Sequence, residues 1–271
     1  MHKLALIPGD IRWSGMGDHT SGRSEESLGL FGSAAEVYER YRPGYPDQVV
    51  TAVMTYAARS IRSALEVGAG TGKATRLFAG RGVHVTAIEP DPAMATVLTR
   101  SMKSSPVEIV LATFEDYRPE RQFDLLFSAA AWHWTDPTNR WTRAADVLKP
   151  AGTLAIFGIP GDLADAELAA AVEMVECRSL SSVSLDRGQE WSVGQLAGMG
   201  LFADVDEQRL PAAVECSADD YVGRLATVSS YLQLDQPSRG EALRAVRKVL
   251  PKRVVLDETV ELVLARRRPV D

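Results

Sequence analysis

Five short apolar runs, at residues 64–67, 84–89, 107–111, 123–128 and 153–158, alternate with stretches of helical pattern. This alternation restricts the fold of the chain more than any other feature. The stretches between the runs, "KATRLFAGR", "DPAMATVLTRSM" and "RWTRAADVLK", repeat apolar residues at helical spacing. Strand and helix in this rhythm predict an α/β fold, a doubly wound parallel sheet with helices on both faces. Upstream, "SAAEVYERY" reads as a helix with Ser33 as its N-cap, and "RPGYP" stops it because proline cannot continue a helix. A second helix is expected from Asp47 through "VVTAVMTYAARS". Beyond Gly158 the rhythm changes. Residues 160–200 read as helices, "FADVDEQRL" as a strand, "ADDYVGRLATVSSYL" and "RGEALRAVRKVL" as helices, and "TVELVLARR" as a last strand. Residues 1–28, rich in Gly, Ser and charge and without periodicity, read as a flexible leader, and 29–271 as one domain.

The sum of charges bounds the partners. A net charge of −6 disfavours a nucleic-acid surface, which needs a basic face to neutralise phosphates. Cys177 and Cys216 have neither metal nor redox spacing and read as reduced thiols of a cytoplasmic protein. The longest apolar runs fall short of the roughly 20 residues that span a bilayer. The start of the chain has too short an apolar core for a signal peptide.

The first strand runs into "EVGAGTGK", residues 66–73, and three nucleotide-binding patterns compete for it. A phosphate loop anchored on Gly72 and Lys73 requires glycine at 67 and a hydroxyl at 74, where the chain has Val67 and Ala74. That pattern fails. A dinucleotide fingerprint anchored on Gly68 and Gly70 wants glycine at 73 and finds Lys73, a poor match that keeps a nicotinamide-dependent oxidoreductase as an alternative. The third is a loop for a nucleoside without phosphate, where a side chain at Gly68 or Gly70 would block the approach of ligand to backbone.

For that third pattern the sequence resembles the Rossmann-fold, class I, S-adenosylmethionine-dependent methyltransferases, whose Glu/Asp-x-Gly-x-Gly-x-Gly motif appears as Glu66, Gly68, Gly70 and Gly72, with Ala69 between the glycines. The resemblance runs over about residues 29–268. It is nearest to the bacterial small-molecule enzymes related to trans-aconitate methyltransferase. It implies a mostly parallel sheet with an antiparallel last strand, and cap segments at about 29–60, 160–200 and 212–255 closing over the acceptor. It also implies S-adenosylmethionine as cofactor and S-adenosylhomocysteine as product.

Within that resemblance, Glu89 ends the second strand where an acid accepts hydrogen bonds from the ribose, and Pro90 and Met94 are placed to pack on adenine. After the third strand the family often carries Asp-Ala-Glu; this chain has Thr113, Phe114 and Glu115, so the first acid is missing and the adenine contact passes to the Phe114 ring or amide with Glu115 nearby. The strand "FDLLFS", ending at Ser128, should face the departing methyl group. The segment "YERYRPGYP" should cover the cofactor. Tyr38 and Tyr41 become lid and substrate residues, and Arg42 a candidate partner for the cofactor carboxylate or an arginine pairing at a helix end.

Transfer from a sulfonium needs alignment and a deprotonated acceptor, so a dedicated catalytic side chain is optional. His133 is the candidate general base; orienting a substrate carboxylate or bonding to backbone are its other possible tasks. If "WHW" continues extended, Trp132 and Trp134 share a face as an apolar or cation–π wall and His133 points away; a tight turn would change that. Tyr231 in "LATVSSYL" is a candidate for the substrate roof. Exocyclic-amine methylation of bases is disfavoured because the fourth strand ends in "SAAA" where that class carries Asn/Asp-Pro-Pro-aromatic. Cytosine C5 chemistry is disfavoured because both cysteines follow glutamate, and a divalent metal because Asp136 stands alone. The expectation is a methyltransferase acting on O, N or C of a small, moderately hydrophobic, specialised metabolite. The rivals are a non-catalytic cofactor-binding protein and an enzyme that turns the cofactor to cyclisation or rearrangement.

Overall fold

The computed structural model describes residues 30–103, 105–181, 183 and 192–269, and the backbone of Ile11–Trp13. The rest of the expected leader lies outside the described residues. Among the described residues ten strands are assigned: β1 (Ile11–Trp13), β2 (Ser63–Val67), β3 (His84–Glu89), β4 (Val107–Leu111), β5 (Phe123–Ala129), β6 (Leu148–Gly158), β7 (Phe202–Leu210), β8 (Ala213–Ser217), β9 (Arg253–Asp257) and β10 (Val260–Arg267). The principal sheet has the order β1-β4-β3-β2-β5-β6-β10-β7. Neighbours from β1 to β6 are parallel, and β10 runs antiparallel to both β6 and β7. The sheet is therefore mostly parallel, with its last strand reversed.

The five apolar runs become β2 to β6 because both faces of this sheet are covered. Alternate residues feed opposite cores. Ala64, Val85, Leu125 and Phe127 pack with Val49, Val53, Phe78 and Leu98 on one face. Leu65, Ile88, Leu126 and Leu154 pack with Trp141, Ala144 and Leu196 on the other. The helices are α1 (Ala35–Tyr41), α2 (Asp47–Ala57), α3 (Thr75–Ala79), α4 (Pro92–Ser101), α5 (Arg140–Val147), α6 (Ala166–Ser179), α7 (Val193–Gly198), α8 (Ala218–Leu225), α9 (Ser229–Leu232) and α10 (Gln236–Val249). A third core, containing Leu163, Val172, Tyr221, Tyr231, Val246 and Leu256, joins α6, α8 and α10 into a cap.

Three local expectations are corrected. Ser33 does not cap α1; a 3-10 turn at Gly32–Ala34 precedes the helix, and the Ser33 hydroxyl donates to Leu30 O at 3.3 Å. The expected single helix over 218–232 is broken in two. The Thr227 hydroxyl bonds the Arg224 carbonyl at 2.6 Å and Val228 is extended, a competition between side chain and backbone that ends helices. The cap also contains an unforeseen antiparallel ladder of β8 with β9. Among the described residues no helix is long and apolar enough to cross a membrane.

Candidate active site

The loop that leaves β2 holds Gly68, Gly70 and Gly72 at φ +68°, +57° and +89°. Gly70 matters most. Its φ is left-handed, and a β-carbon there would find no protein atom within 4 Å, so the loop offers bare backbone to open space. The loop is fixed from below: Gly68 N and Ala69 N both donate to Ile88 O, at 3.0 and 3.1 Å. Glu89, at the end of β3, accepts from Gly70 N at 2.7 Å and from Asp91 N at 2.9 Å, joining the loop to the start of α4.

Above this loop lies a cavity of about 270 Å³. One end is walled by Glu89, Pro90, Asp91 and Met94, with Thr113, Phe114 and Glu115 opposite. The other end is walled by Tyr38, Arg42, Ala129–Ala131, His133, Trp134, Val228 and Ser229, with Phe31 also on the wall. The fold thus gathers twelve predicted residues around one space: Tyr38, Arg42, Gly68, Gly70, Glu89, Pro90, Met94, Thr113, Phe114, Glu115, His133 and Trp134.

Seven predicted residues do not line it. Ala69 and Gly72 belong to the underside of the loop, and a β-carbon on Gly72 would strike the Leu98 side chain. Ser128 is buried and donates to Val67 O at 3.0 Å. Glu66 is buried beneath the loop and accepts from the Thr75 hydroxyl at 2.6 Å. Tyr41 packs against Gly223 of α8. Tyr231 is buried in the cap core, its hydroxyl donating to Glu176 Oε1 at 2.8 Å. Trp132 is 1% exposed and packs between Phe114 and Trp141. The reason is the backbone: "WHW" forms a 3-10 turn, not an extended strand, so the two tryptophans part company. His133 and Trp134 turn to the cavity, their rings 5.0 Å apart.

The lid is clamped by charge. Lys73 Nζ donates to Glu39 O at 2.7 Å, Arg76 pairs with Glu39 at 3.0 Å, and Arg100 pairs with Glu36 at 2.7 Å. Arg42 Nε donates to the Thr227 hydroxyl at 2.8 Å while its guanidinium stands 5.4 Å over the Tyr38 ring. Arg42 therefore joins α1 to the break between α8 and α9 at the cavity mouth. Burial lowers its pKa, opposed by Tyr38. Glu115 Oε1 accepts from Asp136 N at 2.7 Å and so holds the turn that carries His133.

The sequence reading missed Phe31, Asp91, the Ala129–Ala131 loop, Val228 and Ser229. Asp91 had a legible signal, an aspartate before proline at a helix start, which marks an N-cap. Val228 and Ser229 had none, since they depend on the unforeseen helix break. Among the described residues no group of three or more His, Cys, Asp or Glu could hold a metal ion.

The family profile described as a methyltransferase domain matches residues 65–156, the segment with the glycine loop, Glu89 and His133. Over residues 65–156 the chain is similar to methyltransferase domains. An uncharacterized methyltransferase of Mycobacterium tuberculosis is 38% identical over 138 residues, 51% of this chain and 54% of that one. Trans-aconitate 2-methyltransferase of Escherichia coli is 28% identical over 121 residues, 44% and 45% of the two chains. The chain spans about half the length of the curated relatives it matches. In fold, it superposes on phosphoethanolamine N-methyltransferase 2 of Haemonchus contortus, which was solved with S-adenosylhomocysteine, at a TM-score of 0.56 and 16% identity, covering 90% of this chain and 59% of the other.

The geometry of the site suits S-adenosylmethionine. The open side of Gly70 leaves room against backbone, Glu89 presents acceptors for hydroxyl donors, and Pro90, Met94 and Phe114 offer apolar surface for a flat base. Glu66, beneath them, is a buried carboxyl pushed up to about 8, chiefly by desolvation and further by Glu89, against the hydrogen bond from Thr75. It holds its proton in the folded state when the unfolded chain has lost it. Stability is full below the unfolded pKa of 4.5 and falls by ~1.4 kcal/mol per pH unit as pH rises toward about 8. Glu66→Gln keeps an acceptor for Thr75 and cannot ionise. Urea unfolding is expected to find the two proteins alike near pH 5 and the variant more stable above pH 8; parallel profiles would contradict this.

Proposed function

We propose that this chain transfers a methyl group from S-adenosylmethionine to an O, N or C atom of a small, moderately hydrophobic metabolite. One observation carries the reading. The exposed glycine-loop backbone, Glu89 and the His133–Trp134 turn face a single cavity that α1 and the cap roof over. When bound, the cofactor supplies the activated methyl group. The chain's own residues then bind, align and exclude water, which is the main demand of an in-line displacement. Glu89 and the loop would hold the nucleoside end. Arg42 is suited to a carboxylate, its Nε and Nη2 held by Thr227.

His133 is the proposed proton acceptor of the methyl acceptor, with Tyr38, Trp134 and Val228 as apolar neighbours of the acceptor. A space of about 270 Å³ favours a small molecule over a polymer. Unpaired Cys177 and Cys216 support a reducing, cytoplasmic setting.

Incubation with methyl-labelled cofactor and a fractionated metabolite extract should place label in a small-molecule fraction. Label found only in protein or nucleic acid would overturn the acceptor class. With the acceptor in hand, His133→Ala is expected to lower kcat by about 10²-fold, the lower range for a general base, and leave S-adenosylhomocysteine affinity unchanged. An unchanged kcat would remove His133 as base.

A further inference from the structure

The segment "YRPGYP" leaves the end of the lid helix α1 one hydrogen-bond donor short. In an α-helix each carbonyl accepts from the N–H four residues further on. The Tyr38 carbonyl is served in this way, by Arg42 N at 3.0 Å. The next carbonyl, Glu39 O, would need an N–H from residue 43, which is Pro43 and has none. Arg42, directly before the proline, is already extended at ψ 137°, so the backbone of α1 does not close this turn. A helix carbonyl orphaned in this way needs a donor from elsewhere.

The glycine loop supplies it. Lys73 Nζ donates to Glu39 O at 2.7 Å, a charge-assisted bond between residues 34 apart in the chain. Lys73 directly follows Gly72, whose carbonyl accepts from Arg76 N at 3.1 Å, so its backbone is fixed by the turn that leads into α3. The side chain is only 13% exposed, and its cation sits at the C-terminal end of α1, where the helix dipole favours positive charge. The Glu39 carboxylate is the weaker partner, 3.4 Å from Nζ, partly exposed and shared with Arg76. The turn of α1 capped by Lys73 carries Tyr38 and Arg42, both on the cavity wall, while Lys73 itself does not line the cavity.

We propose that Lys73 is a positioning residue: by supplying the donor that Pro43 lacks, it completes the lid helix from the glycine loop and sets Tyr38 and Arg42 at the far end of the cavity. This rests on the assignment of the cavity to S-adenosylmethionine, with the cofactor carboxylate at Arg42. Lys73 touches neither the cofactor nor the reacting atoms; it acts through α1.

Two variants separate the carbonyl cap from the ion pair. Lys73→Met keeps the apolar stem and removes the donor; Glu39→Gln keeps the carbonyl and removes the carboxylate charge. Isothermal titration with S-adenosylhomocysteine, and with adenosine, which lacks the amino-acid end, is the readout. Lys73→Met is expected to bind S-adenosylhomocysteine about tenfold more weakly, the scale of a hydrogen bond to a charged group, and adenosine within about threefold of wild type. Glu39→Gln should stay within about threefold for both ligands, because partly exposed ion pairs contribute little. In an Arg42→Met background, itself weaker for S-adenosylhomocysteine, Lys73→Met should add less than about twofold, since the positioned group is gone. Amide exchange at Arg42 N should quicken in Lys73→Met while β2 and β3 keep their protection. Equal losses for S-adenosylhomocysteine and adenosine would mean damage to the glycine loop and would overturn the positioning role. Unchanged binding by Lys73→Met, or full additivity with Arg42→Met, would overturn it as well. Glu39→Gln decides even if Lys73→Met does not fold: a tenfold loss there would put the ion pair in place of the cap. An Arg42→Met that binds like wild type would overturn the carboxylate assignment and this inference with it. A wild type that does not bind S-adenosylhomocysteine would overturn the cofactor reading itself.

Discussion

Gly70→Val is expected to abolish cofactor binding while leaving the sheet intact. Two effects combine. A β-branched residue at φ +57° is strained by about 1–3 kcal/mol. Its side chain would also extend from the one point of the loop where a β-carbon meets no protein atom, directly into the cavity. The first effect weakens folding; the second removes ligand space. Gly82→Val separates them. Gly82 has φ +78°, equally open surroundings and an exposed position away from the cavity. Both variants should lose similar stability in urea, but only Gly70→Val should lose S-adenosylhomocysteine affinity, by about a hundredfold or more, since even one buried charge-assisted bond there is worth tenfold. Equal affinity loss in both would mean that loop strain, not the cavity, governs binding.

Breaking the buried ion pair of the cap should cost the most stability. Arg224 Nη1 and Glu258 Oε1 are 2.6 Å apart and both residues are buried. The pair fastens α8 to the turn between β9 and β10. Gly161, which lacks a side chain, leaves room for the guanidinium. Glu258→Ala strands the arginine charge in a dry environment, an expected loss of about 3 kcal/mol or more by urea unfolding. The damage should reach the site. The Arg224 carbonyl accepts from the Thr227 hydroxyl, and Thr227 holds Arg42 at the cavity mouth. Arg224→Met combined with Glu258→Leu removes both charges and should recover most of the stability, because a well-packed apolar pair can replace a buried ionic one. A loss below about 1 kcal/mol for Glu258→Ala would place the pair in the class of surface bridges.

How far the sequence could be read follows from the range of the interactions. The strands β2 to β5 were legible nearly to the residue because each is a run of local apolar pattern, and the sheet that buries them is built from those same runs. Glu89 and the glycines were legible because their roles depend on the end of the strand that carries them. The "WHW" turn was not, because three residues are too few to show a period, and Trp132 went to the core while its neighbours faced the cavity. Tyr231 was read as a roof residue, yet its hydroxyl is held by Glu176, 55 residues away in the chain. Arg42 meets Thr227 across 185 residues, so its place at the cavity mouth depends on a cap whose ladder of β8 and β9 left no clear periodicity. Lys73 shows the same limit in a productive form. Its presence argued against a dinucleotide, and the fold gives it a separate purpose, clamping the lid at Glu39.

The central claim, that the cavity above Gly70 and Glu89 is a site for S-adenosylmethionine, is tested most directly by titrating the wild-type protein with S-adenosylmethionine and S-adenosylhomocysteine in a calorimeter. Saturable binding of one molecule per chain is expected for each, with a melting temperature that rises with ligand concentration as for any ligand of the native state. Absence of binding to both at millimolar concentration, or a preference for NAD in the same titration, would contradict it.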